Sequence, residues 1–92
     1  GVAAAVMGKR LHALAKYRQV FCVTHLPQIA SQADVHYVIE KNVSKKRTVT
    51  QARMLSRADR QEEIARMLGG LAVTSAARQT AAEMIEESKG GA

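Results

Sequence analysis

Apolar positions recur along residues 2–17 at helical spacing, with Ala3, Met7, Leu11 and Leu14 in one stripe and Lys9, Arg10 and Lys16 outside it. That period predicts an amphipathic helix lying on a sheet. The pattern then changes. Val20-Phe21-Cys22-Val23 is a continuous apolar run ahead of a polar pair, Thr24-His25, and a half-solvated strand would alternate instead. The run therefore predicts a strand over 19–24, buried on both faces in a parallel sheet. Pro27 suits a first helical turn, where its missing N–H costs nothing, so a short helix is expected over 27–32. Helix, strand and helix make a first unit, 1–34.

From Val35 the period is two. Val35, Tyr37 and Ile39 fall on one face and His36, Val38 and Glu40 on the other, which predicts a strand to about Lys41. Asn42-Val43-Ser44-Lys45-Lys46 reads as a five-residue turn, and 47–55 as the returning strand of a hairpin, giving a second unit, 35–55. The third unit, 56–92, holds two helices. Ser56 with Asp59 resembles a capping box, and Gly69-Gly70 ends the helix that presents Ile64, Met67 and Leu68. The last helix starts near Thr74, gathers Ala77, Ala81, Met84 and Ile85 on one side, and is expected to fray over Lys89-Gly90-Gly91-Ala92.

Composition narrows the classes. Hydrophobic residues make up 47% of 92 residues, too many for a disordered tail. Tyr17, Phe21 and Tyr37 are the only aromatics, so the core must be aliphatic and thin, and unpaired edges predict exposed apolar surface or self-association. The single cysteine, Cys22, has no partner in the chain, which excludes an internal disulfide framework and reads as a small buried hydrophobe in a reducing cytoplasm. No apolar run is long enough to span a membrane. The net charge is +6, and between residues 41 and 60 seven basic residues, Lys41, Lys45, Lys46, Arg47, Arg53, Arg57 and Arg60, face one acid, Asp59. A stretch of this kind attracts nucleic acid, with Lys45, Lys46 and Arg47 the candidate phosphate contacts. The competing reading is a solvated hairpin edge guarded by lysines, and the stretch lacks the aromatic residues of single-strand binders.

His25 stands at the carboxyl end of the expected strand, where ligands of open α/β sheets bind. A lone histidine there is more often a cap or a backbone partner than a functional group. His12 and His36 match no compact metal-ligand spacing with it and read as surface residues. Asp34 helps a turn, the glutamates 62, 63, 83, 86 and 87 suit exposed helix faces with Glu62 paired to Arg66, and Met7, Met54, Met67 and Met84 read as core filler.

Thr24-His25-Leu26-Pro27-Gln28-Ile29-Ala30, preceded by the Val20 to Val23 run and followed far downstream by Arg66-Met67-Leu68-Gly69-Gly70, resembles the C-terminal part of the RecN family of bacterial DNA repair proteins. The family are SMC-like ATPases whose heads are of the ABC type. The resemblance covers nearly the whole chain and implies an α/β fold, part of an ABC/SMC-type, P-loop NTPase-like head. It implies that His25, with Thr24 orienting it, belongs to a switch loop near the γ-phosphate of ATP. Gly1-Val2-Ala3 resembles the residues just beyond the D-loop, so the signature motif and the magnesium carboxylates would lie upstream. No Gly-x-x-x-x-Gly-Lys-Ser/Thr loop occurs in the chain. The expectation is thus an inactive segment that binds no ATP tightly by itself. ATP and Mg²⁺ would belong to the intact parent, a bacterial cytoplasmic protein joining the nucleoid during repair. Its partners would be the rest of its own head, a second head in a homodimer, and DNA. The rival expectation is a non-enzymatic basic module for DNA binding or dimerisation.

Overall fold

The computed structural model describes residues 2–90. Helix α1 spans Val2–Leu14 and relaxes through single turn bonds, such as Tyr17 N–H to Leu14 O at 3.0 Å. Its inner side is not the expected stripe. Gly8 is its buried residue, flanked by half-buried Ala4, Ala5, Leu11 and His12, whereas Met7 and Leu14 are exposed. The cause is close approach: α1 lies against α2, Pro27–Ala30, so tightly that a Cβ on Gly8 would stand 2.9 Å from the Gln28 carbonyl oxygen. Large apolar side chains cannot occupy such a contact, so they turn outward.

The strand expected over 19–24 does not form. A parallel strand needs neighbours for its N–H and C=O groups, and the sheet among the described residues consists of the hairpin alone. The run is irregular, with Phe21 85% and Val23 102% exposed, and Cys22 is exposed rather than buried. The first unit is therefore helix, extended loop, helix. Leu26 is extended at the start of α2, Pro27 opens the helix, and α2 stops at Ala30, short of the expected Gln32.

Strands β1 (Tyr37–Ser44) and β2 (Arg47–Met54) pair antiparallel from Tyr37 with Met54 to Ser44 with Arg47. The connection has two residues, not five. Lys45 and Lys46 have φ of 42° and 72°, the doubly left-handed geometry of a type I′ turn, which follows the twist of the strands. Pairing thus runs three residues further along Asn42-Val43-Ser44 than the polar composition suggested, and β1 begins at Tyr37 rather than Val35. The face carrying Tyr37, Ile39, Val43 and Met54 is exposed; the half-buried residues are Val38 and Glu40 on the other face.

Helix α3 spans Arg57–Met67, and Ser56 Oγ accepts the Asp59 N–H at 3.2 Å as its cap. Gly69 and Gly70, with φ of 105° and 100°, end it in a conformation other residues resist. Thr74 Oγ1 accepts the Ala77 N–H ahead of α4, Ser75–Gly90, which runs on through Lys89; the fraying expected at Gly91 and Ala92 falls outside the described residues. The core lies between α3 and α4: Ile64 (0% exposed), Ala65, Ala81 and Ile85, joined by Ala30 of α2 and rimmed by Met67, Val73, Ala77 and Met84. Met54 is exposed and plays no part in it. Ion pairs cross this seam from Arg78 to Glu62 at 2.9 Å and from Arg57 to Glu86 at 2.9 Å. Glu62 is thereby taken from Arg66, which pairs with Glu63 instead. No helix among the described residues is long and apolar enough to cross a membrane.

Gly8 gives a sign test of this packing. Alanine in place of a mid-helix glycine ordinarily stabilises by about 1 kcal/mol, but an added methyl against a backbone oxygen costs about 1–3 kcal/mol. Gly8→Ala is expected to lower the denaturant midpoint of the chain. A raised midpoint would mean that α1 does not rest on α2.

Candidate functional site

Thr24, His25 and Leu26 form a tight polar turn. The Thr24 hydroxyl oxygen accepts the Leu26 N–H at 3.0 Å across His25, so one hydrogen bond closes the backbone over the histidine. His25 itself is exposed and makes no hydrogen bond among the described residues. Pro27, immediately after Leu26, is buried, so the loop leads at once into anchored structure.

The anchor is Arg60 of α3. One of its terminal guanidinium nitrogens donates to the carbonyl oxygens of Ala30 (3.2 Å), Ser31 (3.0 Å) and Ala33 (2.5 Å), which close the carboxyl end of α2. Burial lowers the Arg60 pKa from its usual range, partly offset by attraction to Asp34. In the sequence Arg60 stands out only as one member of the basic 41–60 stretch. Its spacing of four from Ile64 places it on the inward side of α3, and that was the available signal. Two histidines read as surface residues are also half-buried. His12 Nε2 lies 3.4 Å from Asp34 Oδ1, tying α1 to the loop after α2. His36 has its Nδ1 buried without a partner; burial first, and then the Arg60 charge, push its pKa below 6.5, against a smaller upward pull from Glu63.

Lys45, Lys46 and Arg47 are exposed at the tip of the hairpin, and with Lys41 they have no ion-pair partner among the described residues. They share no hydrogen bond or ion pair with the Thr24-His25 loop, so the two candidate sites are separate. A groove of 250 Å³ between the hairpin and α3 holds Glu40, Arg53, Asp59, Glu63 and Arg66, and neither Thr24 nor His25 lines it. Its charges largely satisfy one another: Arg53 reaches Glu40 at 3.1 Å and Asp59 at 3.5 Å. No three metal-ligating side chains converge among the described residues.

No family model matches the chain. Among curated proteins it is 40% identical over 87 residues to the DNA repair protein RecN of Xylella fastidiosa, covering 95% of this chain and 16% of the relative. It is 47% identical over 85 residues to RecN of Deinococcus radiodurans, covering 92% of this chain and 15% of the relative. RecN of Bacillus subtilis is 36% identical over 87 residues, covering 95% of this chain and 15% of the relative. The chain thus spans about one-sixth of the length of these relatives.

His36 predicts a pH dependence. Its folded pKa lies below the unfolded value of 6.5, so between the two the unfolded chain binds the proton that the folded chain refuses. Stability is full above about pH 6.5 and falls as the pH drops towards the lowered folded value. Glu62 and Glu63, held below the ordinary 4.5 by Arg78 and Arg66, act in a separate, more acidic window. Thermal midpoints measured between about pH 7.5 and pH 5.5 should decline, and His36→Gln should flatten the decline. An identical slope in the variant would clear His36 of any part in it.

Proposed function

We propose that this chain, which belongs to the RecN family of DNA repair proteins and corresponds to a C-terminal segment of them, supplies the switch loop of an ATPase head. One observation carries the proposal: His25 is exposed and free of internal hydrogen bonds, while the Thr24 hydroxyl closes the backbone across it and Pro27 and Arg60 hold the helix that follows. That arrangement fits a terminal phosphate, since an unengaged imidazole N–H on a fixed backbone can donate to an oxygen without first breaking a bond. Bound Mg²⁺-ATP would supply the phosphoanhydride that is cleaved. His25 would hold a hydrogen bond on the oxygen where charge develops, and Thr24 would keep the loop closed.

The remaining head, including its phosphate loop and magnesium carboxylates, would come from the rest of the protein. The 20–23 run, exposed from Phe21 to Val23, would pair there as a strand, and a second head in a homodimer would complete the working state. The proposed setting is the bacterial cytoplasm, with the whole protein on the nucleoid during recombinational repair of double-strand breaks. The chain alone would neither bind nor hydrolyse ATP appreciably. In the full-length protein carrying this segment, His25→Ala should reduce ATP turnover by about 10²–10³-fold, the loss typical of one preorganised donor. ATP affinity, measured by calorimetry, should change far less. Undiminished turnover in a folded variant would sink the proposal.

A second reading, contact with DNA, is favoured at the hairpin tip. Two lysines occupy left-handed turn positions that asparagine and glycine fill at lower conformational cost, and Ser44 and Arg47 flank them with no acid in the turn. Lysines that merely guarded an edge would lie along the strands. Reversal of Lys45, Lys46 and Arg47 to glutamate should weaken DNA binding by the full-length protein and reduce the slope of log K against log salt, by about 0.9 per lost phosphate contact. An unchanged slope would assign the tip to solvent.

A further inference from the structure

We infer that Arg60 is a positioning residue for His25: it fixes the switch loop through α2 and so couples that loop to the C-terminal helix pair. The inference rests on the proposed role of His25. A helix of four residues is far below the length at which hydrogen bonding sustains itself, so α2 keeps its place only through what packs on it. On one side Gly8 of α1 touches its backbone. At its carboxyl end the Ala30 carbonyl accepts one turn bond, from the Ala33 N–H at 3.2 Å, and a terminal nitrogen of the Arg60 guanidinium reaches the carbonyls of Ala30, Ser31 and Ala33. The same stretch places Ala30 in the core beside Ile64.

His25 lies two residues ahead of Pro27. Because its ring is held by no bond of its own, its position follows from that of α2. Releasing the carbonyls would let α2 rotate or unwind about the Gly8 contact, and the loop would move with it. Displacement of about 1 Å is enough to cost a positioned group much of its effect. A plain helix cap would also donate to terminal carbonyls, but its loss would be felt as stability alone.

The experiment compares Arg60→Ala, Arg60→Lys, His25→Ala and the Arg60→Ala/His25→Ala double variant in the full-length protein. Arg60→Ala should lower kcat by about 10-fold or more with little change in KM for ATP. In the His25→Ala background the same substitution should cost no more than about two-fold, because a group acting through another has nothing left to position. Arg60→Lys, which keeps a charged donor, should recover part of the loss. Hydrogen exchange of the nucleotide-free protein supplies the second readout: amides of residues 24–33 should exchange faster in Arg60→Ala while those of α4 keep their protection. Full additivity of the two losses, native kcat in Arg60→Ala, or exchange that rises equally throughout α3 and α4 would each overturn the inference. Native turnover in His25→Ala would remove the reading of His25 itself and this inference with it, an outcome distinct from the other three.

Discussion

Three carbonyl oxygens at the end of α2 converge on one guanidinium, and the joint between the two halves of the chain depends on that convergence. On one side are α1, the 19–26 loop and α2; on the other are α3 and α4 with the core. Ala30 adds only a methyl group to that core, so apolar burial alone holds the halves weakly. Peptide carbonyls turned away from water need donors, and Arg60 meets three at once while its own desolvation is offset by their dipoles and by Asp34. A single terminal nitrogen makes all three contacts, while the Arg60 Nε is buried without a partner.

Legibility in the sequence follows the range of each signal. The cap at Ser56, the glycine stop at 69–70 and the inward side of α4 are settled within a few residues, and each was readable. The turn is hidden because Lys45-Lys46 lacks the Asn-Gly mark of a doubly left-handed pair, so the polar residues before it resemble loop although they pair. Periodicity likewise gives two faces without saying which is inward. In α1 the smallest residue, Gly8, makes the contact, against the preference of any hydrophobic stripe. In β1 the more apolar face is exposed, because Val38 and Glu40 meet the arginines and carboxylates beside α3. The Thr24-His25 motif was legible as a candidate; Arg60, acting across some thirty residues, left only its spacing from Ile64.

The failed strand belongs to the same account. Four apolar residues in a row specify burial but not a partner, and hydrogen bonding to a neighbour decides whether they become a strand. Here Phe21 and Val23 face solvent, as do Tyr37, Ile39, Val43 and Met54 on the outer side of the hairpin. So much apolar surface on a chain of 92 residues marks contact surface rather than a finished exterior. The chain that carries this surface spans about one-sixth of the length of the relatives it matches.

The loop at 24–26 separates rigidity from engagement. An imidazole locked by bonds to its own protein would have to exchange them for a ligand, losing most of what it gained. One on a mobile backbone would have to be ordered at the moment of binding, at the cost of its conformational entropy. The Thr24 hydroxyl, the proline start of α2 and the Arg60 clamp act on the backbone alone, so His25 avoids both costs. Order is supplied from behind the histidine, and the ring stays exposed and without a hydrogen bond among the described residues. A substitution at Arg60 would therefore act on this loop only through α2, without removing any atom of the loop itself.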